Sequence, residues 1–208
     1  MSNKKKIQSS MSPEEIDRQR AKALHGNFVV SLERCLTDEQ IEELKALVDQ
    51  HGQAAAVYAL GATGTSLSES TRRSRTCFLP PEQYKWAYDI AWKVAKKVNE
   101  TYQFEIKPIN EVIQIAAYDE SELGYYNWHT DAGIFNMRRK ISISIPLSSP
   151  AEYTGGEFQI MTSKEPVAIL QNKGCPIVFP GILWHRVTPV TKGRRYSFVC
   201  WVGGPAWR

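Results

Sequence analysis

Apolar positions in the first hundred residues recur with the period of a helix, and beyond Phe104 the period shortens to that of a strand. Thr37-Asp38-Glu39-Gln40 has the Thr-x-x-Gln spacing of a capping box, after which Ile41, Leu44, Leu47 and Val48 repeat at helical spacing up to His51-Gly52. A second helix is predicted over 81–102, with Trp86, Ile90, Val94 and Val98 on one stripe. Both stripes read as core packing. Upstream, Ser12-Pro13-Glu14-Glu15 is a helix start, with a cap, an early proline and acids at the positive end of the dipole. A short strand is expected at 28–31.

Downstream, β-branched and aromatic runs alternate with turn residues. Strands are predicted over 112–118, 126–131, 140–147, 157–161, 166–170, 176–179, 183–187 and 195–202, with turns at 149–150, 154–156, 172–174, 180–181 and 192–193. Eight short strands at this spacing indicate a sandwich or barrel, and eight is a natural number for a jelly roll. The fold class is α+β, mainly β, with helices from the first half supporting the strands. Residues 61–73, GATGTSLSESTRR, form the one long polar interruption and read as a mobile surface loop.

Composition narrows the class. The chain has 208 residues, 42% hydrophobic and 23% charged, which suits one folded domain rather than a disordered or fibrous chain. No run approaches the roughly 20 apolar residues of a membrane helix, and the first 20 residues lack a secretory signal's apolar core. Residues 1–25 carry six Lys or Arg against Glu14, Glu15 and Asp17, so of the net +4 only +1 belongs to the remainder. The expected organisation is a basic, partly flexible segment at 1–25 and a single domain at 26–208. The nearly neutral body argues against nucleic acid as a partner. Cys35, Cys77, Cys175 and Cys200 form no CxxC or Cys/His cluster, and Cys175 and Cys200 lie in strand-like runs as small hydrophobes. A reducing, cytoplasmic setting follows; oligomeric state is not written in the sequence.

The chemistry centres on His129, Asp131 and His185. Residues two apart on a strand share a face, so His129 and Asp131 of WHTD can grip one atom together, with His185 at the end of FPGILWH on another strand. Two imidazoles and a carboxylate form a facial triad that suits non-heme Fe(II). In isolation the pair also reads as a hydrogen-bonded core histidine beside an aspartate. The stretch HRVTPVTKGRRYSFVCW shifts the balance: Arg195 and Ser197 share a face of the last strand, and a buried guanidinium needs an anion or dense hydrogen bonding. A dicarboxylate with a 2-oxo acid at its far end, 2-oxoglutarate, would chelate the metal and reach Arg195 and Ser197 together. A cupin-like binding protein holding a structural metal has no use for Arg195 and Ser197; a metal hydrolase would need a general base near the metal, and none is evident.

From about Phe28 to Trp201 the chain resembles the prolyl 4-hydroxylase-like branch of the 2-oxoglutarate/Fe(II) dioxygenases. The resemblance is carried by Tyr118, the Tyr126–His129–Asp131 stretch, YTGGEF at 153–158, FPG at 179–181, His185 to Ser197, and SRTCFL at 74–79 as the strand after a mobile loop. It implies a double-stranded β-helix core, iron on His129, Asp131 and His185, and the co-substrate's distal carboxylate on Arg195 with Ser197. It further implies Tyr118 at the iron-proximal end of the co-substrate, O2 as oxidant, and ascorbate as a reductant. Collagen-type enzymes carry lysine where Arg195 stands, and some relatives place a tyrosine where this chain has Ser144-Ile145-Pro146. The implied activity is hydroxylation of an unactivated C–H, on a prolyl residue of a peptide or protein; a free amino acid or other small molecule is the alternative, and a non-catalytic cupin-like metal or ligand-binding protein the alternative of another class. Asp131 excludes halogenation, and Ser197 and Trp201 stand where nucleic-acid dealkylating relatives carry asparagine and a second arginine. Tyr126, Arg139 and Arg75 are the candidate substrate contacts. Arg72, Arg73 and Arg75 together read as a solvated run beside the loop, Trp128 and Trp184 as packing residues, and Glu157 as structural.

Overall fold

The computed structural model describes residues 28–58, 65–67, 70–133 and 136–207. The helix start at 12–15, the flexible segment and domain boundary near residue 25, and part of the 61–73 loop therefore lie outside the described residues.

The first helix, α1 (Asp38–His51), starts where the capping box puts it: Gln40 N donates to Thr37 Oγ1 at 3.2 Å and Thr37 N to Gln40 Oε1 at 3.0 Å. Ile41, Leu44 and Val48 are buried, as its stripe requires. The second, α2 (Lys85–Tyr102), begins four residues later than predicted. Pro80 accepts hydrogen bonds from Gln83 N and Tyr84 N, closing a turn over the segment assigned to the first helical residues. Its buried stripe is also rotated: Ala87, Ala91, Val94, Ala95 and Val98 face the sheet, while Trp86 and Ile90 pack at its margin. Alanines let the helix axis approach the sheet closely, and the larger side chains lie across the edges.

The strands are β1 (Val30–Ser31), β2 (Gln53–Ala54), β3 (Ala56–Tyr58), β4 (Thr65–Leu67), β5 (Arg72–Arg73), β6 (Arg75–Leu79), β7 (Ile113–Asp119) and β8 (Tyr125–His129). They continue with β9 (Arg139–Pro146), β10 (Tyr153–Gly155), β11 (Phe158–Met161), β12 (Pro166–Ile169), β13 (Ile177–Pro180), β14 (His185–Val187) and β15 (Val190–Gly203). One antiparallel sheet runs β1-β13-β9-β15-β7-β6-β2, with β10 paired to β15; a second runs β12-β11-β14-β8-β5; β3 and β4 pair separately. The two larger sheets face each other as a jelly roll, and all eight predicted strands are present.

Three expectations change. The turn at 192–193 does not form: β15 continues through Gly193, whose φ of +73° bends the strand where a Cβ would stand 2.2 Å from the Glu152 carbonyl. The 61–73 stretch contains β4 and β5 rather than loop throughout, because β5 pairs with β8. Cys175 lies half-buried in the turn before β13, while Cys77 and Cys200 are buried; all four thiols are free.

The larger sheet keeps its two faces distinct. Ile113 and Ile115 of β7, Ile141, Ile143 and Ile145 of β9, and Tyr196, Phe198, Cys200 and Val202 of β15 form the core beneath the helices. Alternate positions on the same strands, including Gln114, Tyr118, Ser142, Ser144, Arg195 and Ser197, line a cleft between the sheets. Among the described residues no helix is long and apolar enough to cross a membrane.

Candidate metal centre

His129 ends β8, His185 begins β14, and the two are cross-strand partners. Nδ1 of His129 lies 2.8 Å from the Asn127 carbonyl, and Nδ1 of His185 lies 2.9 Å from that of Leu183. Each carbonyl can only accept, so each Nδ1 carries a proton and each Nε2 is the nitrogen turned toward Asp131. Asp131 is not on β8, as the shared-face reading required: the strand stops at His129, and Asp131 sits two residues further, in the following turn. That turn is fixed by Ala132 N donating to Gly181 O at 2.8 Å and by Ser142 Oγ donating to Asp131 Oδ2 at 2.6 Å.

The donor atoms still converge. Nε2 of His185 is 3.4 Å from Asp131 Oδ2, Nε2 of His129 is 3.9 Å from Oδ1, and the three ligand atoms lie within 4.8 Å of one another. Burial, then the His185 ring alongside, pushes the His129 imidazolium pKa down to about 3, so the ring is neutral. Burial on its own would raise the Asp131 carboxyl; His185 and His129, then Arg139 and the Ser142 hydrogen bond, outweigh it and hold the carboxyl below its ordinary range. The unprotonated Nε2 of His129 and the Nε2 of His185 thus converge on a buried carboxylate, an arrangement that a divalent cation resolves. Two imidazoles and one carboxylate fit non-heme iron.

Arg195 projects into the same cleft and is 2% exposed. Its Nε and Nη2 donate to Gln171 Oε1 at 2.9 and 2.7 Å, its Nη1 to Ser197 Oγ at 3.4 Å, and its Cζ lies 5.2 Å from the Tyr118 ring centre. Tyr118 is buried, and is the cross-strand partner of Arg195. Among the described residues no carboxylate lies within ion-pair distance of this guanidinium, whereas its neighbour Arg194 turns outward to Asp49 and Asp119. The cleft encloses about 460 Å³ including its mouth.

The substrate candidates divide. Tyr126 lines the cleft, stacked on His129 with ring centres 3.5 Å apart; burial pushes its hydroxyl up to about 12, so it remains a donor. Arg139 does not line it: the guanidinium is paired with Glu111 and lies over Trp201 at 3.8 Å, one layer behind the indole that does. Arg75 is outside, donating through Nε and Nη2 to the Gly52 carbonyl, because β6 directs it away from the sheets' interior. Arg72 corrects the solvated reading of its run. It is buried, lies over Tyr126 at 4.6 Å, and donates to Ser74 Oγ at 2.8 Å. Trp184 is 55% exposed rather than packed, and Trp128 is half-buried beneath Arg186 at 4.7 Å. Glu157 is exposed, its N–H donating to Thr188 Oγ1 and its carboxylate accepting from Gln159 Nε2.

Sequence reasoning missed Ser142, Gln171, Gln114 and Trp201. Ser142 and Trp201 could have been found by continuing the period-two count along their strands. Gln171 carries no such signal, since it stands beyond β12 in an irregular stretch.

Residues 113–203 match the family model for the 2OG-Fe(II) oxygenase superfamily. A PKHD-type hydroxylase of Thermosynechococcus vestitus is 27% identical over 182 residues, spanning 84% of this chain and 78% of its own. One from Synechococcus sp. (strain JA-2-3B'a(2-13)) is 40% identical over 82 residues, 37% of either chain. In fold, the chain is similar to a Pseudomonas putida prolyl-4-hydroxylase (TM-score 0.68, 16% identity, 90% of this chain and 98% of that one). It is also similar to a Trichoplax adhaerens prolyl hydroxylase solved with a hypoxia inducible factor peptide fragment (TM-score 0.69, 13% identity, 92% and 90%).

Proposed function

We propose that the chain is a 2-oxoglutarate- and Fe(II)-dependent dioxygenase that hydroxylates an unactivated C–H bond of a prolyl residue within a peptide or protein. The observation that carries the co-substrate's place is the buried guanidinium of Arg195, surrounded by neutral hydrogen-bond partners and sharing one cleft with the His129–Asp131–His185 triad. The prolyl assignment rests on likeness to hydroxylases named for that substrate.

In this reading His129 and His185 hold the iron through Nε2 and Asp131 through a carboxylate oxygen. Ser142 steadies that carboxylate, and the Asn127 and Leu183 carbonyls keep each imidazole in the ligating tautomer. Arg195 and Ser197 bind the distal carboxylate of 2-oxoglutarate, each charge-assisted bond contributing about 1.5–3 kcal/mol. Tyr118 walls the co-substrate's path, and Tyr126 offers a protonated hydroxyl beside the metal for the prime substrate. When bound, iron and 2-oxoglutarate supply the oxidising power, O2 giving one oxygen atom to the substrate and one to succinate as CO2 leaves. The protein's share is position and exclusion of water.

A second reading, a free amino or imino acid as substrate, is favoured by Arg72, another buried guanidinium lining the cleft with no acid partner among the described residues. One experiment separates the two. The Fe(II)-loaded protein is given 2-oxoglutarate with a panel of proline-containing peptides and free amino acids, scored for succinate and for gain of one oxygen atom. Oxygen gain on peptides supports the proposal; gain confined to free acids overturns it in favour of the second reading.

A further inference from the structure

Gln171 is the residue that no motif anticipated and that the triad does not use. Its side chain is a bridge: Oε1 accepts from both Nε and Nη2 of Arg195, and Nε2 donates to the Gly156 carbonyl at 3.0 Å. The two bonds fix the amide orientation, since a flipped amide would set N–H groups against the guanidinium and oxygen against oxygen at Gly156. Gly156 is part of the same construction. Its φ is +59°, and a Cβ there would stand 3.0 Å from Arg195 Cδ, so this glycine lets the arginine stem pass while its carbonyl anchors the glutamine. The second glycine of YTGGEF thereby acquires a purpose.

A buried guanidinium is usually matched by a carboxylate. Here a neutral amide satisfies two donors without cancelling the charge. We propose that Gln171 is a positioning residue which holds Arg195 in place yet leaves its charge unspent, making the cleft select a 2-oxo acid that carries a second, distal carboxylate. The inference rests on the reading of Arg195 as the co-substrate's seat. Glutamate at this position would still accept from both Arg195 donors, though without the bond to the Gly156 carbonyl, and would neutralise the charge.

The test uses Mn(II)-loaded protein and calorimetric titration with two probes of equal carbon number: 2-oxoglutarate, and 2-oxopentanoate, which has a methyl group in place of the distal carboxylate. The parent protein is expected to bind the diacid far more tightly. Gln171→Glu is expected to lower that preference at least tenfold, through weaker diacid binding, with 2-oxopentanoate and Mn(II) affinities within twofold of the parent. A residue that only supports the fold would weaken both probes together. Gln171→Met removes the tether without adding charge; it should weaken 2-oxoglutarate about fivefold while keeping the diacid ahead. The proposal is overturned if Gln171→Glu keeps the parent's preference within twofold, or, should that variant not fold, if Gln171→Met binds 2-oxoglutarate like the parent. Arg195→Leu is the control on the underlying reading: undiminished diacid affinity there removes the seat itself, whereas its loss alongside an unchanged Gln171→Glu refutes the present inference alone.

Discussion

Strand β15 shows two faces of one sheet built to opposite rules. On the helix side, Tyr196, Phe198, Cys200 and Val202 join a continuous apolar core in which many side chains share the load. On the cleft side, Arg195 and Ser197 depend on individual partners: Gln171 for the guanidinium, and the serine hydroxyl for its free edge. The apolar face is held by area, and area is forgiving of which residue supplies it. The polar face is held by directed bonds that cannot be shared out. Adjacent residues therefore differ in what their loss should do, even though both faces are buried.

The largest contrast comes from the metal site. Asp131→Ala should abolish Fe(II)-dependent succinate formation and lose tight metal binding, while far-ultraviolet circular dichroism stays that of the parent. The folded chain tolerates the change because the removed carboxylate faces the two ligand imidazoles and not the apolar core. Retained turnover would contradict the ligand assignment. Phe198→Ala, on the other face, should do the reverse. It should cost about 3–5 kcal/mol in urea unfolding through transfer and cavity terms, yet leave metal and 2-oxoglutarate affinities of the folded protein unaltered. If Phe198→Ala changed ligand affinity as much as stability, the two faces would be coupled and the contrast would fail.

How much of this was legible in the sequence follows from the same distinction. Period-two alternation is a local property, so the eight strands, their inward faces and the pairing of Arg195 with Ser197 could be read directly. The α1 cap is equally local, and was legible to the residue. What could not be read was set by partners distant in sequence. Asp131 reaches the metal site through a turn tied to Gly181 and Ser142, not through the alternation of β8. Arg72 is buried because β5 pairs with β8, although its own surroundings in the chain are polar. In α2 the helical period was right, but the choice between adjacent stripes depended on how closely the sheet approaches, which favoured the alanines.

Ser142 sharpens the comparison, because it belongs to β9, whose other face is isoleucine core. Ser142→Ala removes the hydroxyl that donates to Asp131 Oδ2 and leaves the apolar face untouched. Loss of a hydrogen bond behind a metal ligand typically lowers metal affinity by about 10–100-fold. That range is expected here in an Fe(II) or Mn(II) titration, with the unfolding midpoint of the metal-free protein almost unmoved. An unaltered metal affinity would mean that the turn carrying Asp131 is held by the Ala132–Gly181 bond without help from the serine.

The smallest effect lies furthest from the cleft. Thr37 caps α1, and its side chain takes the Gln40 N–H that the helix leaves unpaired, while Gln40 returns the favour to the Thr37 backbone. Thr37→Ala should cost about 1 kcal/mol, the usual worth of such a cap, read as a shift in the urea midpoint at constant slope. Because α1 rests on the apolar face through Ile41, Leu44 and Val48, this loss has a route to the core and none to Arg195 or the triad. Thr37→Ala should thus unfold earlier and bind Mn(II) and 2-oxoglutarate like the parent. A parallel fall in ligand affinity would show that the helix layer sets the geometry of the cleft as well as its stability.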